Sequence, residues 1–93
     1  MMIKDNRNPK DYSRSENYKV WGGSGIDIPV RMVYDDEDLR VGSDTIDAKT
    51  GELTNAGYLI GEARENPHSD YSTEEEFWDL CRQHVEYAKN KAK

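Results

Sequence analysis

Between residues 35 and 79 the chain carries fourteen Asp and Glu against three Lys and Arg (Arg40, Lys49 and Arg64), a net charge of −11. The acids fall in clusters: Asp35-Asp36-Glu37-Asp38, then Asp44 and Asp47, then Glu74-Glu75-Glu76 and Asp79. Mutual repulsion among so many carboxylates opposes a compact state. It also exceeds what solubility alone requires of a small domain. The flanks have the opposite sign, +2 over residues 1–34 and +3 over 80–93, which leaves −6 overall. A chain that keeps such a concentration of charge is expected to use it.

The material for a core is scarce. Leu, Ile, Val and Phe together number 15 of 93 residues, with six Tyr and two Trp to add buried area. That length allows one domain and a thin core, so a partner or a second copy is expected, with Trp21 and Tyr58 as candidate contacts. One Cys excludes an internal disulfide and fits a reducing compartment. No apolar run approaches the roughly 20 residues of a membrane span. The opening Met1-Met2-Ile3-Lys4-Asp5-Asn6-Arg7 has no apolar stretch of a secretory signal. A transmembrane protein, a disulfide mini-protein and a large enzyme are excluded.

Periodicity predicts an α+β domain. Residues 1–16 are polar and aperiodic and read as a flexible N-terminal arm; residues 17–93 read as a single acidic domain. Tyr18–Trp21 alternates, Gly22-Gly23-Ser24-Gly25 signals a turn, and Ile26, Ile28, Val30, Met32 and Tyr34 share one strand face. These predict a hairpin over 18–34. Pro29 cannot donate to a ladder, which predicts an edge strand or a bulge, its ring pointing outward with the polar odd positions. A second hairpin is expected over about 45–63, turning at Ala48-Lys49-Thr50-Gly51. Within it, 57–63 is ambiguous: Leu53, Ala56, Leu59, Ile60 and Ala63 make a helical stripe, but two glycines weigh toward a strand. The clearest element is a C-terminal helix over about 73–91. Ser72 and Glu75 form a capping box. Acids occupy the first turn and lysines the last, and Phe77, Cys81, Val85 and Ala88, with Trp78 and Ala92, form one stripe. The fold predicted is a small antiparallel sheet packed by one C-terminal helix.

Chemistry finds little purchase. Ser24 lacks the spacing of a nucleophile elbow, and its glycines match no phosphate loop; a hairpin turn accounts for them. Cys81 and His84 lie three apart on the helix, yet only His68 and acids are left to complete a metal site. A buried Cys and a packed His explain the pair better, so no metal, cofactor or catalytic residue is assigned. Phosphate binding needs clustered Lys and Arg, and here they are divided between two ends, so direct nucleic-acid binding is disfavoured.

Imitation of nucleic acid fits better. Duplex DNA carries one negative charge per about 1.7 Å of axis, so a face about 20 Å long presents about 12 phosphates. A net of −11 is of that order if the carboxylates share a face. The candidate phosphate mimics are Asp35, Asp36, Glu37, Asp38, Asp44, Asp47, Glu74, Glu75, Glu76 and Asp79. The chain also resembles the anti-restriction nuclease proteins of T-even bacteriophages. The resemblance rests on the polar Met-start arm, on Ile26-Asp27-Ile28-Pro29-Val30 leading to Asp35-Asp36-Glu37-Asp38-Leu39, and on Gly57-Tyr58-Leu59-Ile60-Gly61-Glu62 before the capped helix. It implies a homodimeric DNA mimic in the host cytoplasm whose acidic surface blocks the DNA site of a host restriction nuclease. The net +2 of residues 1–34 contributes nothing to such a mimic. A different class is an adaptor that docks a host protein through exposed aromatic rings, its acidity serving only solubility. Salt separates the two, because a charge mimic lets go of its target as ionic strength rises.

Overall fold

The computed structural model describes residues 3–22, 25–65 and 69–91, and main chain only at 62 and 64. Five strands, β1 (Arg14–Val20), β2 (Ile28–Tyr34), β3 (Arg40–Asp47), β4 (Glu52–Asn55) and β5 (Ser69–Ser72), form one antiparallel sheet ordered β4-β3-β2-β1-β5. A short helix α1 (Ile60–Glu65) follows the 3-10 turn Gly57–Leu59, and the long helix α2 (Glu74–Lys91) ends the description. This is the α+β fold that periodicity predicts, a small antiparallel sheet against one C-terminal helix. No described helix is long and apolar enough to cross a membrane.

The alternation in β2 sorts two cores. Val30, Met32 and Tyr34 join Tyr18 and Val20 on one face, covered by Ala56, Leu59 and Ala63. The opposite face holds Leu53 and Ile46 under Phe77, Cys81 and Trp78 of α2, with Ile3 beside them. Both faces of β2 are therefore covered, and Arg31 and Val33 on the odd side are 2% and 0% exposed. The expectation of an outward, polar odd face is corrected: a whole helix lies over it.

Four boundaries also differ from expectation. Strand β2 is central, not an edge. Its ladder to β3 carries a register irregularity between Val33 and Tyr34, the bulge expected as the alternative, though not at Pro29 itself. Its Pro29 is tolerated because the ladder to β3 begins two residues later, at Arg31↔Asp44, and the Thr45 hydroxyl donates to the Pro29 carbonyl at 2.7 Å. Residues 57–63 are helical, not a strand. Burial of Ala56, Leu59 and Ala63 at spacings of three and four outweighs the roughly 1 kcal/mol that a helical glycine costs, and Gly61 sits in open space. The cap of α2 falls one residue later than Ser72. Thr73 Oγ accepts from Glu76 N at 3.1 Å, and Glu76 Oε1 accepts from Thr73 N at 3.3 Å, while Ser72 ends β5 opposite Asn17. Finally, β1 starts at Arg14, and residues 3–8 lie along the α2 face of the sheet. The arm is docked there through Asp5, Asn6 and Arg7. Ser24 and His68, weighed above for chemistry, lie outside the described residues.

Candidate functional site

The β2–β3 connection is built by its own first acid. Asp35 donates its N–H to the Leu39 carbonyl at 2.9 Å, and its carbonyl accepts from Asp38 N at 3.1 Å. Its carboxylate accepts from the amides of Glu37 and Leu39, both at 2.9 Å. Asp side chains favour such turns because they satisfy amides that the hairpin leaves unpaired. Asp38 takes the left-handed conformation, φ 65°, which Asp tolerates better than most residues. Four consecutive acids thereby make a stiff loop, and Asp36 and Glu37 at its crest have no ion-pair partner among the described residues.

Beside the loop, Arg14 gathers charge. Its guanidinium reaches Asp38 at 2.6 Å and Glu16 at 3.2 Å, and it stacks 4.0 Å from the Tyr34 ring centre. The Tyr34 and Tyr18 hydroxyls both donate to Glu16, at 2.8 and 3.0 Å. These bonds, Tyr34's first, hold the Glu16 carboxyl below its usual range. Arg14 in turn lowers Asp38. Burial, then Glu16, pushes the Tyr18 phenol up.

The third cluster starts α2. Glu76 is committed to the cap and to Lys19 at 3.1 Å, which lowers its carboxyl. Asp79 faces Arg82 at 3.6 Å and accepts from Gln83 at 3.0 Å. Glu74 and Glu75 are exposed, with no partner among the described residues. Ser72 pairs with Asn17 and Ser69 with Val20, while Arg14 pairs with Tyr34. Strand β5 therefore runs toward the end of the sheet that carries the 35–38 loop. It stops opposite Asn17, halfway along β1, and Glu76 then pairs with Lys19, on the side of Asn17 away from Arg14, so no described contact joins the two clusters.

The remaining two candidates lie elsewhere. Asp47 is at the end of the sheet opposite the 35–38 loop, where its carboxylate accepts from Lys49 N at 3.0 Å in the β3–β4 turn. Asp44 is interior, 5% exposed, with one oxygen shared by Arg7 at 2.6 Å and Arg31 at 2.9 Å. It presents nothing to a partner. The ten acids thus divide into Asp35–Asp38 on the loop at one end of the sheet, Glu74–Asp79 on the first turns of α2, Asp47 at the other end of the sheet, and Asp44 inside.

Asp44 belongs to a cluster that periodicity does not reveal. The Arg31 guanidinium grips both Asp5 oxygens, at 2.9 and 3.0 Å, and lies 5.5 Å from the ring centres of Phe77 and Trp78. Burial opposes its charge, but the Asp5 and Asp44 bonds outweigh burial and raise its pKa. Asp5 is lowered, chiefly by the Arg31 bonds. The one available signal is that Arg31 stands among Pro29, Val30, Met32 and Val33, apolar on both sides. The helical Cys and His are placed apart: burial pushes the Cys81 thiol up to about 12, and His84 Nε2 lies 2.9 Å from the Asp27 carbonyl. Among the described residues no group of three or more His, Cys, Asp or Glu could hold a metal ion.

Compared with known proteins, the chain matches no family, no curated protein and no solved structure.

Proposed function

We propose that this protein is a non-enzymatic inhibitor that occupies the DNA-binding site of a host restriction nuclease as a DNA mimic, acting as a homodimer in the host cytoplasm. The observation that carries the reading is the 35–38 loop. Its backbone is pinned by Asp35, and its crest acids Asp36 and Glu37 have no ion-pair partner among the described residues. A stiff array of carboxylates needs no ordering on contact, so little entropy opposes its docking into a positive groove. Its field steers the encounter. The mechanism is occlusion: no bond is made or broken, and no cofactor is required. The resemblance to the T-even anti-restriction nuclease proteins points the same way.

Neutralising Asp35, Asp36, Glu37 and Asp38 together to Asn and Gln tests it. Inhibition should fall strongly while each single change costs little, and the target's own DNA should compete for the same site. A complex that survives both the fourfold change and saturating DNA would sink the mimic. The adaptor reading keeps one observation in its favour: Trp21, Tyr58 and Tyr71 are 66%, 75% and 71% exposed. An adaptor complex would persist at high salt and weaken when those rings are removed.

A further inference from the structure

Residues 3–8 are attached to the rest of the molecule as a ligand is attached to a receptor. Asp5 is held by both arms of the Arg31 fork. Arg7 bonds Asp44 at 2.6 Å, and its guanidinium occupies the space where a side chain on Gly42 would stand. Asn6 Nδ2 donates to the Leu53 carbonyl at 3.5 Å, and Ile3 packs against the Leu53, Phe77 and Cys81 cluster. Each of these hydrogen-bonding partners is at least 26 residues away in sequence. The segment joins β1 through a single 3-10 turn, Pro9–Asp11, that contains no buried residue. A receptor formed entirely by distant residues, a ligand that fits it, and an exposed tether are the ingredients of exchange between identical chains.

We propose that the groove over Arg31 takes the N-terminal segment of a second copy of this chain, giving an arm-exchanged dimer. Each Arg31 then grips the Asp5 of the other chain, each Asp44 the Arg7 of the other chain, and no contact of the closed form is lost. Because the bonds are the same in both forms, the tether decides between them. A short flexible tether holds its own segment at an effective concentration of the order of millimolar. Exchange in the full chain therefore grows as protein concentration approaches that range. The chemistry of the occupant is set by the groove: an aliphatic residue, a carboxylate two positions on, and a guanidinium two beyond that. This inference does not rest on DNA mimicry.

Removing Asn8–Tyr12 shifts the balance. Asn17 pairs with Arg31, and Ser13 lies four residues from Asn17, about 14 Å along the strand at about 3.4 Å per residue. With five residues gone, Asp5 is three steps from Ser13, at most about 11 Å. The Asp5 and Arg31 side chains can still bridge that gap, but the segment can no longer follow its full closed path, which weakens the closed form. Sedimentation equilibrium at micromolar concentration should show a dimer, and adding Asp5→Asn should raise its dissociation constant more than tenfold. A folded, monomeric deletion variant would overturn the proposal. A second measurement needs no variant. Lys4 and Glu52 line one groove beside the segment, so a zero-length cross-linker applied to an equal mixture of light and heavy isotope-labelled full-length protein reports which chain supplies the segment. Mixed-isotope Lys4–Glu52 pairs should rise with concentration. Pairs of a single isotope at every concentration up to millimolar would overturn the proposal.

Discussion

Two arginines on opposite faces of the same sheet do the same chemistry under different conditions. Arg14 bridges Asp38 and Glu16 and stacks on Tyr34. Arg31 bridges Asp5 and Asp44 and lies over Phe77 and Trp78. The Arg14 side chain is 42% exposed and the Arg31 side chain 2%. Water and salt can replace every partner of Arg14, so its pairs shape the acidic end and add little to stability. Nothing replaces the partners of Arg31. Its charge and that of Asp44 were both taken out of water, and removing either leaves the other a single counter-ion, Arg7 for Asp44 and Asp5 for Arg31. Geometry alone does not rank ion pairs; the depth at which they sit does.

The largest expected effect breaks the buried cluster. Arg31→Met should cost up to roughly 3–5 kcal/mol, because buried Asp44 keeps only Arg7 and Asp5 loses its guanidinium fork, read as a drop in the urea midpoint with unchanged slope. A loss below about 1 kcal/mol would mean that Arg7 alone satisfies Asp44. Removing the aromatic lid gives a comparable number by a different route. Phe77, fully buried, should cost roughly 3–5 kcal/mol as Phe77→Ala through cavity formation. If that variant melts like the parent, α2 does not form the second core.

Smaller effects sharpen the contrast. Thr73→Ala should cost about 1 kcal/mol by removing the α2 cap, whereas Ser72→Ala should cost less, because Ser72 Oγ has no hydrogen-bond partner among the described residues. Thermal melts of the two variants check this, and equal losses would move the cap back to Ser72. Acid titration acts on both clusters with the same sign. Asp5 and Glu16 both have folded-state values below their ordinary 3.8 and 4.5. Their contribution is complete above those ordinary values, and it is lost as pH falls through the lowered ones, because the unfolded chain takes up protons first. The native protein should therefore lose stability below about pH 4. Arg31→Met should lose less over that window, since the Asp5 share is gone while Tyr34 still lowers Glu16. The smallest effect is Arg14→Gln: its melting midpoint should stay close to the parent's, and any difference should vanish near 1 M salt, where screening reaches about 3 Å.

Much of the architecture is legible along the chain. Helix α2 is announced by acids at its start, lysines at its end and a stripe of Phe77, Cys81 and Val85, all local signals that act within one or two turns. The β2 alternation is legible too, because Val30, Met32 and Tyr34 need one apolar face whatever lies on the other. The acidic loop is equally local, since Asp35 organises the three residues that follow it. What covers the odd face of β2 is not local. Arg31 looks like an ordinary outward arginine until α2, 43 residues further on, is laid over it, and the N-terminal segment looks unstructured because its partners are Asp44, Leu53 and Arg31. The same holds for residues 57–65, where helix and strand periodicities compete and the Tyr18, Val30 and Met32 surface decides.

The sequence by itself therefore determined the α+β class, the turn chemistry and the amount of negative charge. Each of these depends on residues within a few positions of one another, or on simple counts. Only the tertiary structure decided which carboxylates remain free for a partner. A charge is kept or cancelled by whatever cation the fold brings within about 3 Å. For Asp44 those cations are Arg7 and Arg31, 37 and 13 residues away, while for Asp36 and Glu37 none of the described residues arrives.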